Sequence, residues 1–224
     1  MDWTALALSL RLAAVTTAIL LALAPPLAWW LATTRWRWRH VADALVAMPM
    51  ILPPTVLGYY LLLALGPRSP AGALLARLTG ESLPFTFPGL VVGSVIYSLP
   101  FAVQPMRASF ARVDRELVEA AWCLGASRLR TFARVVLPLS RAGVVAAAVL
   151  TFVHTLGEFG VVLMLGGNLP GRTRTVSVAI YDQVQSLDYA AANRTAGVLV
   201  ALSFALLALT YHAQREGTPR WPTT

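Results

Sequence analysis

The stretch LALSLRLAAVTTAILLALAPPLAWWLAT, residues 6–33, is apolar along its whole length except for one charge, Arg11. About 20 apolar residues in a helix rising about 1.5 Å each cover a hydrocarbon core of about 30 Å. The run therefore reads as a membrane span. It follows Met1-Asp2-Trp3 rather than a basic leader and outruns the apolar centre of a secretory signal, so it reads as a retained helix. Four more stretches qualify: residues 41–65, with Pro49, Pro53 and Pro54 inside; about 89–110, with Pro100 and Pro105; about 142–165; and about 195–212. Backbone groups in lipid must be paired within the protein, which leaves helices or a closed barrel. Continuous apolar runs, rather than alternating segments of about ten residues, select helices. The expectation is an all-α polytopic membrane bundle of about five spans, forming one transmembrane domain over residues 1–224. The apolar residues between Val176 and Val184 are too few and too mixed to span and read as an interfacial helix, with a sixth span as the alternative. The prolines at 49, 53 and 54 read most simply as a kink tolerated by neighbours, and alternatively as an unwound turn facing a substrate.

Composition agrees. Apolar and aromatic residues make up 57% of the chain and charged ones 12%, with a mean hydropathy of +0.65. Water-soluble enzymes carry about twice that charge, and disordered chains are poor in apolar residues, so both classes are excluded. The single cysteine, Cys123, excludes a disulfide framework and a multi-thiolate metal site. The net charge of +8 comes from 18 arginines, with no lysine, against 10 acids. Twelve of those arginines fall on one side of the expected bundle: Arg35, Arg37 and Arg39, seven from Arg107 to Arg141, and the tail residues Arg215 and Arg220. By the positive-inside rule that side is cytoplasmic, with the N-terminus outside and the C-terminus inside. Trp29, Trp30, Trp36 and Trp38 sit where an interfacial aromatic belt belongs. The basic balance thus reports topology rather than nucleic-acid binding.

The longest connection on the arginine-rich side, about residues 111–141, predicts two short helices. From Val113 to Leu124, Asp114 serves as N-cap, and Leu117, Ala120, Ala121 and Leu124 share a face. Gly125 stands where a corner needs positive φ. Ser127 caps a second helix carrying Leu129, Phe132, Val135 and Val136, and Pro138 ends or kinks it before the fourth span. An amphipathic helix held outside the membrane suits a groove on a partner protein.

Glu119-Ala120-Ala121, then three residues, Gly125, nine residues and Val135-Val136-Leu137-Pro138 resemble the EAA loop of permease subunits of ABC importers. LPPTVLGYYLL in the second span, FTFPGLVVGSVIYSLPF through the third, and TLGEFGVVLMLGGNLPGRTRTVSVAIY from the fourth onward resemble molybdate permeases, and less closely the sulfate/thiosulfate and tungstate permeases. The resemblance implies a type I importer permease in a bacterial inner membrane. Its expected assembly is a homodimer above two ATPase subunits, with an oxyanion-binding protein on the periplasmic or extracellular face. It further implies that residues 119–126, notably Glu119, Ala120, Ala121, Leu124, Gly125 and Ala126, together with Phe132, Leu137 and Pro138, couple the bundle to the ATPase. No P-loop is present, and the absence of lysine excludes one. ATP and magnesium are therefore expected on the partner, with no cofactor and no catalytic or metal-binding residue on this chain.

Polar residues inside spans are functional candidates. His154 and Glu158 lie four apart, on one helical face, without the spacing of a zinc protease or a complete metal set. Glu158, between Gly157 and Gly160, is expected at a gate or helix–helix contact along the pathway, together with Pro53 and Pro54. A carboxylate is a poor ligand for a dianion. In the outer loop, about 166–193, Asn168, Arg172, Thr173 and Arg174 are candidate contacts for an arriving anion or its binding protein. Arg11 reads as a snorkelling side chain near the outer end of its span. A membrane enzyme using His154 and Glu158, and a passive channel, are the readings from other classes.

Overall fold

The structure, a computed structural model, describes residues 2–215; the tail arginine Arg220 lies outside them. Every regular element among these residues is helical. Helix α1 (Trp3–Thr33) starts at Asp2, whose carboxylate accepts from the Ala5 N–H at 3.0 Å. It packs against α5 (Phe87–Phe110) and α9 (Arg141–Gly157), and these three make the centre of the bundle. Leu20, Ala24, Ala28 and Leu31 of α1 meet Ala102, Val103, Met106 and Phe110 of α5 and Ala147 of α9 in one buried cluster. Small residues let the backbones approach, as is usual where lipid offers no hydrophobic drive for helix association. The sharpest case is Gly143. A β-carbon there would fall on the Ser109 side chain and 2.9 Å from the Pro105 carbonyl oxygen.

The five expected spans take the form of three unbroken helices and two broken ones. Helices α1, α5 and α12 (Tyr189–Arg215) are each long and apolar enough to cross a bilayer. The second span is no mere kink. It divides into α2 (Arg39–Ile51) and α3 (Pro54–Leu65), which meet at 109°. A residue before proline is pushed out of the α region, and here Leu52 and Pro53 both precede prolines, so two successive residues are extended. The salt bridge from Arg107 to Asp43, at 2.7 Å, ties α2 to the end of α5. The fourth span is likewise interrupted: α9 stops at Gly157, and after Glu158 and Phe159 the chain resumes as α10 (Gly160–Gly166), which packs on α3 and α5.

Two short helices complete the face opposite the arginine-rich connection. Between the second and third expected spans, α4 (Pro70–Thr79) forms. Its start signal is Ser69, accepting from the Gly72 N–H at 2.8 Å, followed by proline; its stop is Gly80 at φ +79°. Helix α11 (Val176–Gln185) is ten residues long, too short to cross a membrane, and buries Val176, Val178 and Ala179 in the bundle.

Candidate functional site

On the arginine-rich side, α6 (Arg115–Cys123) and α7 (Arg128–Thr131) form an elbow. The Asp114 carboxylate accepts from the Glu116 N–H at 2.9 Å and opens α6. At its far end the Gly125 N–H donates to the Trp122 carbonyl at 2.9 Å, and the Ala126 N–H to the Ala121 carbonyl at 3.0 Å. With Gly125 at φ +80°, this is a Schellman cap. Ala121, Gly125 and Ala126 are thus the third-last helical residue, the left-handed residue and its successor in one hydrogen-bonded stop. Ser127 then accepts from the Arg130 N–H at 3.3 Å and starts α7. The chain continues through a π-helical turn (Phe132–Val136) into α8 (Leu137–Leu139), and bends by 77° into α9.

The elbow is fastened on one side only. Val118 is buried, Phe132 packs against Trp29 and Phe110, and Val136 and Leu137 join the central cluster. The other side carries Leu117, Glu119, Ala120, Trp122, Leu124 and Leu129, all exposed, with Leu124 at 89% and Leu129 at 78%. Pro138 is exposed as well. Exposed apolar side chains grouped in this way outside the spans are characteristic of protein or membrane contact surfaces. Glu119 pairs with Arg115 at 2.7 Å. Both groups are largely exposed, so the pair contributes about 0.5 kcal/mol at most and yields readily to a partner's charge.

A second constellation lies between α5 and α9. Glu158, 4% exposed, accepts from the Ser94 hydroxyl at 2.9 Å through Oε2. One turn earlier His154 Nδ1 and the Ser98 hydroxyl are 3.0 Å apart, Ser98 also bonds Thr155 at 2.9 Å, and the imidazole stacks on Phe101 at 3.8 Å. Ser94 and Ser98 were not singled out from the sequence. The available signal was their own four-residue spacing, which matches that of His154 and Glu158. An open cleft of about 590 Å³ runs beside this ladder, bordered by Pro54, Tyr97, His154, Glu158 and Gly160. Pro53 caps α3 at its edge.

The glycines flanking Glu158 differ. A β-carbon on Gly160 would stand 2.6 Å from Pro54 Cβ, whereas one on Gly157 would meet nothing within 4 Å. Close backbone approach is therefore the business of Gly160 alone. Gly160→Ala is expected to destabilise the chain by about 1–3 kcal/mol through overpacking, and Gly157→Ala to be neutral or mildly stabilising, by about 0.5 kcal/mol, through reduced backbone entropy. Thermal melts of the two variants in the same detergent separate these outcomes.

In the loop opposite the arginine-rich side the candidates are drawn into internal bonds. Arg174 donates to Asn168 at 2.6 Å and faces Asp182 at 3.3 Å and Asp2 at 3.9 Å, and Asn168 donates to Asp182 at 2.6 Å. Thr173 is buried and donates to the Gly166 carbonyl at 2.6 Å. Arg174 ties the loop to Asp2 at the start of α1, while Asn168 and Thr173 brace it internally. Arg172 is exposed and borders a cleft with Arg11, whose guanidinium lies 4.5 Å from the Phe87 ring centre.

Residues 24–215 match the family model described as "Binding-protein-dependent transport system inner membrane component". Over 96% of its length the chain is 50% identical to the molybdenum transport system permease ModB of Azotobacter vinelandii, covering 95% of that protein. It is 35% identical to the sulfate transport system permease CysT of Salmonella typhimurium over 81% of its own length and 65% of the other's. Its fold matches a chain of the bacterial alginate ABC transporter, solved in complex with an alginate pentasaccharide-bound periplasmic protein, with a TM-score of 0.75 at 17% identity, covering 95% of this chain and 78% of that one.

Proposed function

This chain belongs to the binding-protein-dependent transport system inner membrane components, and from that premise we propose that it carries molybdate across the inner membrane as the permease of an ATP-driven importer. The one observation that carries the coupling is the elbow at Gly125: rigidly capped, anchored on one side, and apolar and unpartnered on the other. A motor that grips such an elbow moves α9 directly, since α6 through α8 run into it without a flexible linker. The motor is a separate ATPase, which holds the ATP and magnesium. We place Glu119 in its cleft, with Ala120 allowing close approach. Two copies of the chain surround the pathway, and two ATPases sit below them. An oxyanion-binding protein delivers cargo to the face carrying Arg11 and Arg172, the N-terminus lying on that outer face and the C-terminus in the cytoplasm.

The cleft beside Glu158 supplies each copy's half of the passage. A carboxylate repels a tetrahedral dianion, so Glu158 works through Ser94 as a helix–helix contact at the gate rather than as a cargo ligand. Breaking both spans beside the same cleft, at Leu52–Pro53 and at Glu158–Phe159, gives two short segments, α3 and α10, that can shift as a packed pair. The higher identity to the molybdenum permease than to the sulfate permease supports molybdate as cargo.

Reconstitution with the ATPase and binding protein in liposomes tests this reading. Labelled molybdate is expected to accumulate only with ATP on the cytoplasmic side, and excess sulfate is expected to leave the rate unchanged. Equal uptake of labelled sulfate overturns the molybdate assignment. Flux without nucleotide overturns the importer.

A further inference from the structure

Where α1 and α5 end, on the arginine-rich side, a cavity of about 380 Å³ opens beneath the elbow. Three arginines remote in sequence border it: Arg35 from the α1–α2 connection, Arg115 from the start of α6 and Arg128 from the start of α7. Its floor is apolar and rigid. Trp29 meets Phe110 edge-on at 6.1 Å and Phe132 at 6.0 Å, and Val118 closes the side. Among the described residues no acidic side chain borders the cavity, and the nearby Glu119 pairs with Arg115 through Nε at 2.7 Å. Arg115 shares its charge with Glu119, whereas among the described residues Arg35 and Arg128 form no salt bridge, so an anion between them offsets their mutual repulsion. Guanidinium groups are the side chains best shaped to hold phosphate oxygens, by paired N–H bonds.

We propose that this cavity is a binding site for the phosphate headgroup of an anionic glycerophospholipid. The Arg35, Arg115 and Arg128 guanidiniums hold the phosphodiester, and the Trp29–Phe110–Phe132 floor receives the glycerol and first acyl carbons. The position favours a lipid over a free ion. The cavity lies at the level where two membrane helices terminate, within an aromatic belt that also contains Trp30 and Trp36, whose tilted rings lie 6.1 Å apart. A small hydrated oxyanion gains nothing from an aromatic floor, whereas an amphiphile uses both halves of the site.

The test uses the full chain, purified in detergent and offered equal amounts of phosphatidylglycerol and phosphatidylcholine, with bound lipid counted by native mass spectrometry. Each arginine at an anionic headgroup contributes about fivefold in affinity. Phosphatidylglycerol is therefore expected to be retained preferentially, and Arg35→Gln with Arg128→Gln to erase at least about tenfold of that preference. Both side chains are exposed, so the double variant keeps its fold. Arg77→Gln, on α4, serves as the control and leaves retention unchanged. Equal retention of the two lipids overturns the proposal, as does a preference that survives the double variant. Displacement of phosphatidylglycerol by millimolar inorganic phosphate would assign the site to free oxyanions and overturn the lipid. Displacement by the added ATPase would assign the arginines to a subunit contact, with the same consequence.

Discussion

Gly125→Val is expected to reduce molybdate uptake to background and to cut recovery of the ATPase with the permease at least about tenfold, while the chain still inserts in the membrane. The glycine sits at φ +80° with no atom within 4 Å of where a β-carbon would go, so the penalty is purely one of backbone conformation. A left-handed residue with a side chain costs roughly 1–2 kcal/mol, and a β-branched one more. Leaving that conformation forfeits the two cap hydrogen bonds at Ala121 and Trp122, each worth about 1 kcal/mol. The sum, about 3 kcal/mol, exceeds what a nine-residue helix can supply on its own. The elbow must open or turn, and its exposed face no longer points where a partner can seat it. Gly125→Asn is the matched control, because asparagine tolerates the left-handed region, and it should retain most of the activity. The checks are uptake in liposomes and co-purification with the ATPase.

Gly143→Leu is expected to act at a different level and remove folded protein altogether. The site lies between α9 and α5 in the centre of the bundle, with Ser109 and the Pro105 carbonyl occupying the space a side chain would need. Overpacking by a single methyl costs about 1–3 kcal/mol; four carbons at the tightest crossing cost more than a rearrangement of Ser109 can relieve. Gly197→Leu, on α12, where nothing lies within 4 Å, is the comparison and should behave as the parent. Monodispersity after detergent extraction and thermal melts distinguish the two.

Much of this architecture was legible in the residues, for identifiable reasons. Apolar length alone locates α1, α5 and α12, since the bilayer sets a minimum that no loop meets. The elbow was legible because its caps are local chemistry: Asp114, Gly125 and Ser127 each act on backbone groups within five residues. A kink or unwound turn at Pro53-Pro54 was legible too, but its angle and the interruption after Gly157 were not. Pro25-Pro26 and Pro53-Pro54 are the same dipeptide, yet α1 runs straight through the first while the second separates helices at 109°. The difference is tertiary: Ala24, Pro25 and Ala28 are buried against the bundle, whereas Ile51, just before the second pair, is 79% exposed. Packing holds a continuous helix over its missing hydrogen bonds in one place, and in the other it holds the bent arrangement, with Pro54 against Gly160 and α3 against α10.

The polar sites divide in the same way. A single sequence shows that Glu158 and His154 share a face, but not that Ser94 and Ser98 stand opposite them on another helix. Arg174 looked like a free cation in an outer loop. Its partners Asp2 and Asp182 lie far off in sequence on one side and eight residues on in the other, and only the return of the loop to the start of α1 brings all three together. Short-range hydrogen bonding can be read from spacing; the choice of partner across the bundle cannot.

On the proposed reading the capped elbow is the part of this chain that a motor grips. A photo-crosslinking amino acid placed at Leu124, the most exposed apolar residue of the elbow, tests it in the intact membrane-embedded assembly. An adduct with the ATPase chain is expected from position 124 and none from the same probe at Arg172, at the far end of the bundle. An ATPase adduct from Arg172, or position 124 crosslinking only to the oxyanion-binding protein, would contradict it.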